Sequence, residues 1–370
     1  MARGGRARSA PCRSGDLISW DVEQGISLVV RRGDHLILIE LEQRDESLDC
    51  YVRTDRFNVC ARRHFAATEP LDDADRRIVD GVVRVVRRRE QRLPVFDRPT
   101  TTRRLGLREI EVDRVLIPEG AGHYYLNPYV GCLIGCEFCY VAPRADFSRQ
   151  LEGLPHLPWG RYVDVKVNAP EVLRREVTHL PPGIVRLSPI VTDPYQSIER
   201  SYRITRQCLE VLLPAGFTPV ILTRAALVLD DLPLLRQFPR ASVGFSIPSD
   251  DDHMRQLIEP GADPIPARIE ALAKCHAAGL HTTAVIQPVL PMINPTQLAA
   301  TLAPIIHAVR IDRMHHVHRY LHLYQRHNLE HAADPAFFAD LIPRLQAAFR
   351  TQGVPIDELD DLARLLASTC

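Results

Sequence analysis

Three cysteines carry the strongest chemical signal in this sequence. Cys132, Cys136 and Cys139 follow the spacing C-x3-C-x2-C, with Gly131 and Gly135 placed where the chain must bend tightly. Thiolates are soft ligands that suit iron–sulfur clusters. Structural zinc sites and electron-transfer clusters use four protein ligands, so three cysteines would leave one iron of a [4Fe–4S] cluster open to another molecule.

The residues alone leave two other interpretations of these cysteines open. They could be buried thiols, or part of a zinc site that a distant histidine completes. The rest of the sequence indicates a cytoplasmic protein with reduced thiols, because it has no apolar run long enough to span a membrane and its Arg-rich start lacks a secretory signal. The remaining cysteines are scattered singly, at positions 12, 50, 60, 208, 275 and 370.

The elements around the cysteines predict an α/β fold. After a disordered tail at 1–16, the pattern of residues 17–105 predicts a small α+β domain with a β-hairpin turning at Arg32-Gly33-Asp34 and a helix over 71–89. Residues 106–320 alternate short apolar runs with helical patterns, which predicts βαβ units and a parallel sheet. Residues 321–370 form a C-terminal extension with an amphipathic helix over 334–352. The predicted strands are 123–129, 162–167, 184–191, 218–223, 242–247, 282–289 and 308–314, and the predicted helices between them are 170–179, 198–213, 229–237, 265–278 and 296–307.

The string NPYVGCLIGCEFCY, residues 127–140, resembles the signature of the radical S-adenosylmethionine (SAM) superfamily. It is most similar to the branch that contains spore photoproduct lyase. The segments 192–196 (TDPYQ), 222–224 (LTR), 245–247 (FSI), 257–261 (LIEPG) and 286–291 (IQPVLP) support the same resemblance.

The resemblance implies a partial (β/α)6 barrel with the cluster in the loop after its first strand. It implies that the open iron binds SAM, and that an electron from the cluster cleaves SAM to a 5′-deoxyadenosyl radical, which takes hydrogen from a substrate. It also implies an electron donor of the flavodoxin or ferredoxin type. By the same resemblance Phe138, Thr192, Asp193, Arg224 and Ser246 are candidate cofactor-binding residues. Arg224 stands where many relatives have a lysine that reaches the SAM carboxylate, and a guanidinium can also bind that group.

The substrate is not specified by these motifs. The lyase that repairs DNA photoproducts needs a hydrogen-donating cysteine downstream of the cluster, and residues 140–207 contain none. A net charge of zero gives no support to nucleic-acid binding, so we expect a small-molecule or peptide substrate. DNA repair remains one alternative, and a non-catalytic iron–sulfur redox sensor is another.

A histidine-rich segment follows the last predicted strand. Seven histidines lie between 307 and 331, among them His315, His316, His318 and His322. His318 and His322 are four residues apart, which would suit a metal on one helix face. A solvated polar face or the wall of a substrate pocket would give the same pattern.

Overall fold

The structure is a computed structural model. It describes residues 105–120, 122–142, 145, 149, 154–155, 157–188, 192–314 and 317–356, with the backbone of five strands between 17 and 66. The chain divides into two units, Met1–Arg98 and Pro99–Cys370. The predicted tail at 1–16, the helix over 71–89 and the histidines at 315 and 316 lie outside the described residues.

The first unit contains an antiparallel sheet of five strands in sequential order. The predicted hairpin is confirmed, since β2 pairs antiparallel with β3 and Arg32 pairs with His35. The sequence indicated one hairpin here, and the structure continues the same up-and-down pairing through three more strands. The strands are β1 (Leu17–Asp21), β2 (Gly25–Arg32), β3 (His35–Arg44), β4 (Ser47–Thr54) and β5 (Asn58–Ala66).

The second unit is built on a seven-stranded sheet, which confirms the predicted α/β fold. Its strands are β7 (Leu116–Gly120), β8 (His123–Leu126), β11 (Ile184–Leu187), β12 (Thr218–Thr223), β13 (Ser242–Ser246), β14 (His281–Ile286) and β15 (Ala308–Ile311). Their order is β15-β14-β13-β12-β11-β8-β7, and every neighbouring pair is parallel except β7 with β8. Six parallel strands thus carry their carboxyl ends to one edge, where parallel-barrel active sites gather.

A second, three-stranded sheet changes one of the predictions. It contains β6 (Gly106–Ile110), β9 (Tyr129–Val130) and β10 (Tyr162–Lys166), in the order β6-β10-β9. The strand predicted at 162–167 therefore exists, but it lies beside the main sheet. The reason is that β10 pairs antiparallel with β9, just before the cysteines, and parallel with β6.

Nine α-helices are described in the second unit. They are α1 (Ala169–Glu176), α2 (Glu199–Tyr202), α3 (Ile204–Leu212), α4 (Leu232–Leu235), α5 (Asp252–Ile258), α6 (Ile265–Ala277), α7 (Pro295–Leu302), α8 (Leu321–Arg326) and α9 (Pro335–Thr351). No helix in the described part of the chain is both long and apolar enough to cross a membrane.

The helix predicted over 198–213 is broken into α2 and α3. Arg203 adopts a left-handed conformation with φ 53° between them. The carboxylate of Glu199 then accepts hydrogen bonds from the backbone N–H groups of Thr205 (3.0 Å) and Arg206 (3.1 Å). These contacts satisfy amides that a new helix start would otherwise leave without acceptors.

The core forms two apolar clusters. The larger one packs the helices against the seven-stranded sheet. The smaller one surrounds the cysteine loop and contains Cys132, Cys136 and Phe138 together with side chains from α5 and α8. The loop thus has packing of its own, distinct from that of the main sheet.

Candidate iron–sulfur and cofactor site

The cysteine loop follows β9 and is shaped by two glycines. Gly131 has φ +88° and Gly135 has φ +65°, a region that residues with a Cβ rarely adopt. A Cβ on Gly131 would lie 2.7 Å from the carbonyl oxygen of Tyr162. A Cβ on Gly135 would lie 2.9 Å from the Cα of Gly160. Both positions therefore need glycine for conformation and for space.

Thr192 and Gln196, which follow β11 in the chain, hold the loop. The Thr192 hydroxyl donates to the carbonyl oxygen of Gly131 at 2.7 Å. The Gln196 amide nitrogen donates to the same oxygen at 3.2 Å, and its Oε1 accepts from the backbone N–H of Leu133 at 2.7 Å. Three hydrogen bonds from two buried side chains thus fix the segment that contains Cys132.

The turn after α5 supports the loop from the other side. The N–H of Glu137 donates to the carbonyl of Ile258, and the N–H of Gly261 donates to the carbonyl of Ile134, both at 2.9 Å. A Cβ on Gly261 would lie 2.4 Å from the carbonyl oxygen of Leu133, so the two chain segments are in direct backbone contact.

The cysteines sit in largely apolar surroundings. Cys132 and Cys136 are each 7% exposed, and Cys139 is half-buried. Burial raises the pKa of Cys132 to about 12 and that of Cys136 well above its ordinary value, while the nearby guanidinium of Arg224 opposes the shift at Cys136. Among the described residues, no group of three or more His, Cys, Asp or Glu side chains converges closely enough to hold a single metal ion.

The Asp193 side chain holds the end of β12. One carboxylate oxygen accepts from the Thr223 hydroxyl at 2.6 Å and from the backbone N–H of Tyr195 at 2.9 Å. The other accepts from the backbone N–H of Arg224 at 2.8 Å. Burial raises the pKa of this carboxyl in spite of these donors. The Asp193 side chain therefore fixes the strand end that carries Arg224.

Arg224 is buried between the cysteine loop and Glu259. Its Nε donates to Glu259 Oε1, and its guanidinium carbon lies 5.7 Å from the centre of the Phe138 ring. Burial would lower the pKa of Arg224, but Cys136 and Glu259 together raise it. No described residue forms a hydrogen bond with the terminal guanidinium nitrogens.

Glu259 joins two arginines in one buried network. Its Oε2 accepts from Nη1 of Arg268 at 2.8 Å, and that side chain is completely buried. Burial opposes ionisation of Glu259, yet the two guanidinium groups hold its pKa below the ordinary value. Arg268 also donates to the backbone carbonyl of Ser246, which ties the network to the end of β13.

The structure thus brings the candidate residues to one end of the sheet. Arg224 directly follows β12, and Ser246 ends β13 one strand away. Phe138 lies beside Arg224, and Thr192 contacts the cysteine loop. The sequence did not predict the roles of Gln196, Glu259 and Arg268. The segment 192–196 contained the signal for Gln196, while Arg268 gave none.

Comparisons with known proteins give several relatives. No protein-family model matches the chain. An uncharacterized protein of Methanocaldococcus jannaschii is 30% identical over 168 residues, which are 45% of this chain and 61% of that protein. An uncharacterized protein of Mycobacterium tuberculosis is 30% identical over 237 residues, which are 61% of this chain and 65% of that protein. The chain therefore spans less than two thirds of these curated relatives.

A third relative has a name that describes its chemistry. The radical SAM Nalpha-GlyT isomerase of Pseudomonas phage M6 is 26% identical over 168 residues, which are 45% of this chain and 33% of that protein. The predicted resemblance to radical SAM proteins is confirmed by this relative.

The chain is also similar to solved structures. A mutant spore photoproduct lyase with a dinucleoside spore photoproduct has a TM-score of 0.44 at 16% identity, covering 60% of this chain and 66% of that one. Streptococcus suis SuiB bound to its precursor peptide has a TM-score of 0.38 at 13% identity, covering 79% of this chain and 56% of that one. Methylornithine synthase has a TM-score of 0.37 at 10% identity, covering 71% of this chain and 86% of that one.

Proposed function

We propose that this chain is a radical SAM enzyme in which Cys132, Cys136 and Cys139 bind a [4Fe–4S] cluster. The observation that carries the proposal is the construction of the cysteine loop. Its conformation requires two glycines, and it is held by Gln196 on one side and by the turn after α5 on the other. A loop restrained in this way keeps three thiols close together on a fixed backbone.

The donor set fits a cluster better than a zinc ion. Zinc ligands converge on one point and usually number four, whereas three thiolates of a cluster bind three different irons. The chain places three thiols, and not four, on one short loop. A buried thiolate is unfavourable without a neighbouring positive charge, and the irons would provide it.

When bound, the cluster and SAM supply the one-electron cleavage of a sulfonium carbon–sulfur bond, and so a radical that can abstract hydrogen from a substrate. The chain itself binds and orients the cofactor. Arg224 places its guanidinium beside Phe138 of the cysteine loop, where a carboxylate would make charge-assisted hydrogen bonds. Phe138 offers a ring face beside it for the adenine, and the Ser246 hydroxyl adds a hydrogen-bonding group one strand away.

Thr192 and Asp193 act through other residues. Their polar side-chain atoms are engaged within the protein, Thr192 with Gly131 and Asp193 with Thr223 and Arg224. We therefore assign them to positioning the cysteine loop and Arg224 rather than to direct contact with SAM. This is a narrower role than the cofactor contact that the resemblance implied.

The partners follow from the same proposal. An electron donor of the flavodoxin or ferredoxin type would reduce the cluster, and the substrate would be a small molecule or a peptide. The protein would act in the cytoplasm, where its thiols stay reduced.

Anaerobic reconstitution of the full chain with iron and sulfide tests the proposal. We expect a [4Fe–4S] spectrum, and 5′-deoxyadenosine after addition of dithionite and SAM. Cys136→Ala should abolish both, whereas Cys275→Ala, which removes a buried thiol of α6 outside the loop, should keep both. A stable cluster that never yields 5′-deoxyadenosine would instead identify an iron–sulfur sensor and overturn the assignment as an enzyme.

A further inference from the structure

One face of the seven-stranded sheet carries polar side chains on neighbouring strands. Arg186 of β11 is in register with Tyr125 of β8 on one side and with Val220 of β12 on the other. Residues in register on parallel strands point to the same side of a sheet. Arg224, four residues after Val220, continues along that side toward the cysteine loop.

Arg186 lacks a partner on this face. Its Nε is completely buried and has no hydrogen-bond partner, and no described carboxylate forms an ion pair with its guanidinium. Buried donors are almost always hydrogen-bonded in proteins, since leaving one unpaired is costly. Arg186 as a whole is half-buried, and its buried Nε without an acceptor indicates a place that a ligand completes.

The neighbours of Arg186 are also incompletely satisfied. The Tyr125 hydroxyl donates to Oε1 of Glu119 at 2.6 Å, while Oε2 of Glu119 is buried without a partner. Burial and Glu119 raise the pKa of the Tyr125 hydroxyl, while the positive charge of Arg186 opposes the shift. Glu119, Tyr125 and Arg186 thus form one polar group on this side of the sheet.

We propose that Arg186 binds an anionic group of the substrate, a carboxylate or a phosphate, on the side of the seven-stranded sheet that carries Tyr125 and Val220. The inference rests on the proposed function and names the class of substrate that the site would take. A guanidinium matches both groups because its planar fork can donate two parallel hydrogen bonds. The unpaired Oε2 of Glu119 would accept a hydrogen bond from a donor group of the substrate next to that anion. The anion itself would lie on the same side of the sheet as Arg224.

Arginine-specific labelling tests this inference on the reconstituted full chain. Phenylglyoxal is applied anaerobically with and without inorganic phosphate or succinate, and the labelling rate of each arginine is read by peptide mass spectrometry. Arg236, exposed at the end of α4, is the internal reference. We expect one of the two anions, near saturation, to slow labelling of Arg186 at least about fivefold while Arg236 keeps its rate.

The two anions distinguish a phosphate from a carboxylate substrate. Equal rates with and without both anions would overturn the inference, as would equal slowing of Arg186 and Arg236. Failure to label Arg186 under conditions that label Arg236 would also overturn it, because an anion could not reach the side chain. Since labelling does not depend on 5′-deoxyadenosine formation, failure of this inference is distinguishable from failure of the proposed enzyme activity.

Discussion

Arg224 and Glu259 form a buried ion pair beside the cysteine loop. The two side chains are 8% and 2% exposed, and Nε of the arginine donates to Oε1 of the carboxylate. Because Nε is used in this way, the terminal nitrogens are the atoms of Arg224 left to bind a ligand. Glu259 also neutralises Arg268, so one carboxylate balances two buried guanidinium groups.

Removing the charge of Glu259 should destabilise the protein. We expect Glu259→Gln to lower the free energy of unfolding by about 3 to 5 kcal/mol, since breaking a buried pair leaves uncompensated charge. Urea denaturation followed by circular dichroism measures the change. Glu270→Gln removes the acid of an exposed pair on α6 and should leave the urea midpoint unchanged. Similar midpoints for both variants would contradict this account of the network.

Arg224 should control the affinity for SAM. Replacing it by Gln removes the charge, and the loss of charge-assisted hydrogen bonds of about 1.5 to 3 kcal/mol would weaken SAM binding about 10- to 100-fold. The affinity of Arg224→Lys for SAM should lie between that of the unchanged protein and that of Arg224→Gln, because lysine keeps the charge but has no planar fork. Isothermal titration with the reconstituted protein measures the dissociation constants.

Arg236→Gln is the matched control for this series, since Arg236 is exposed and directly follows α4. It should bind SAM as the unchanged protein does. If Arg224→Gln also binds SAM with unchanged affinity, another cation holds the carboxylate and the role assigned to Arg224 is wrong.

The sequence predicted the parts of this molecule that depend on local pattern. The cysteine spacing and the main parallel strands can be recognised within short segments of sequence. The structure has those strands where the alternation of apolar runs and helical patterns predicts them. The network behind the loop was not predictable in the same way. Arg224 and Glu259 are 35 residues apart in the chain, and nothing local to either position indicates the other.

Two differences in the fold have the same physical origin. β10 joins the smaller sheet because it pairs with β9 and with β6, whose paired residues lie 56 positions earlier in the sequence. The predicted helix over 198–213 breaks because Glu199 folds back to accept the first amides of α3. The spacing of apolar residues in a sequence does not indicate which strand will pair with which, or which side chain will accept hydrogen bonds from the start of a helix.

Gly135 should be essential for assembling the cluster. In Gly135→Ala the new methyl group would meet the Cα of Gly160 at 2.9 Å, and φ +65° would itself be strained, so the loop must move. We expect iron content after reconstitution to fall well below that of the unchanged protein, measured together with the visible absorption of the cluster.

Gly279→Ala separates the effect of contact from that of strain. Gly279 also has a positive φ, +83°, but nothing lies within 4 Å of a Cβ there. It should cost about 1 kcal/mol of stability and keep the full iron content. Equal iron loss in both variants would show that Gly135 has no special role in holding the loop.

Glu199 should make stability depend on pH in an unusual direction. Burial raises the pKa of its carboxyl from 4.5 to about 6, although Tyr129 and the amides of Thr205 and Arg206 oppose the shift. Between these pKa values the folded state binds more protons than the unfolded state, so this group's contribution falls as pH rises. A shift of about 1.5 units corresponds to about 2 kcal/mol.

Comparison with Glu199→Gln isolates this contribution, because glutamine does not titrate. The free energy of unfolding of the unchanged protein minus that of the variant should fall by about 1.5 kcal/mol between pH 4.5 and pH 7, measured by urea denaturation. Glu171→Gln, at an exposed position in the first turn of α1, is the surface control for this comparison. A Glu199→Gln difference that is flat or rises with pH would mean that the helix-capping hydrogen bonds, and not burial, dominate the carboxyl's energetics.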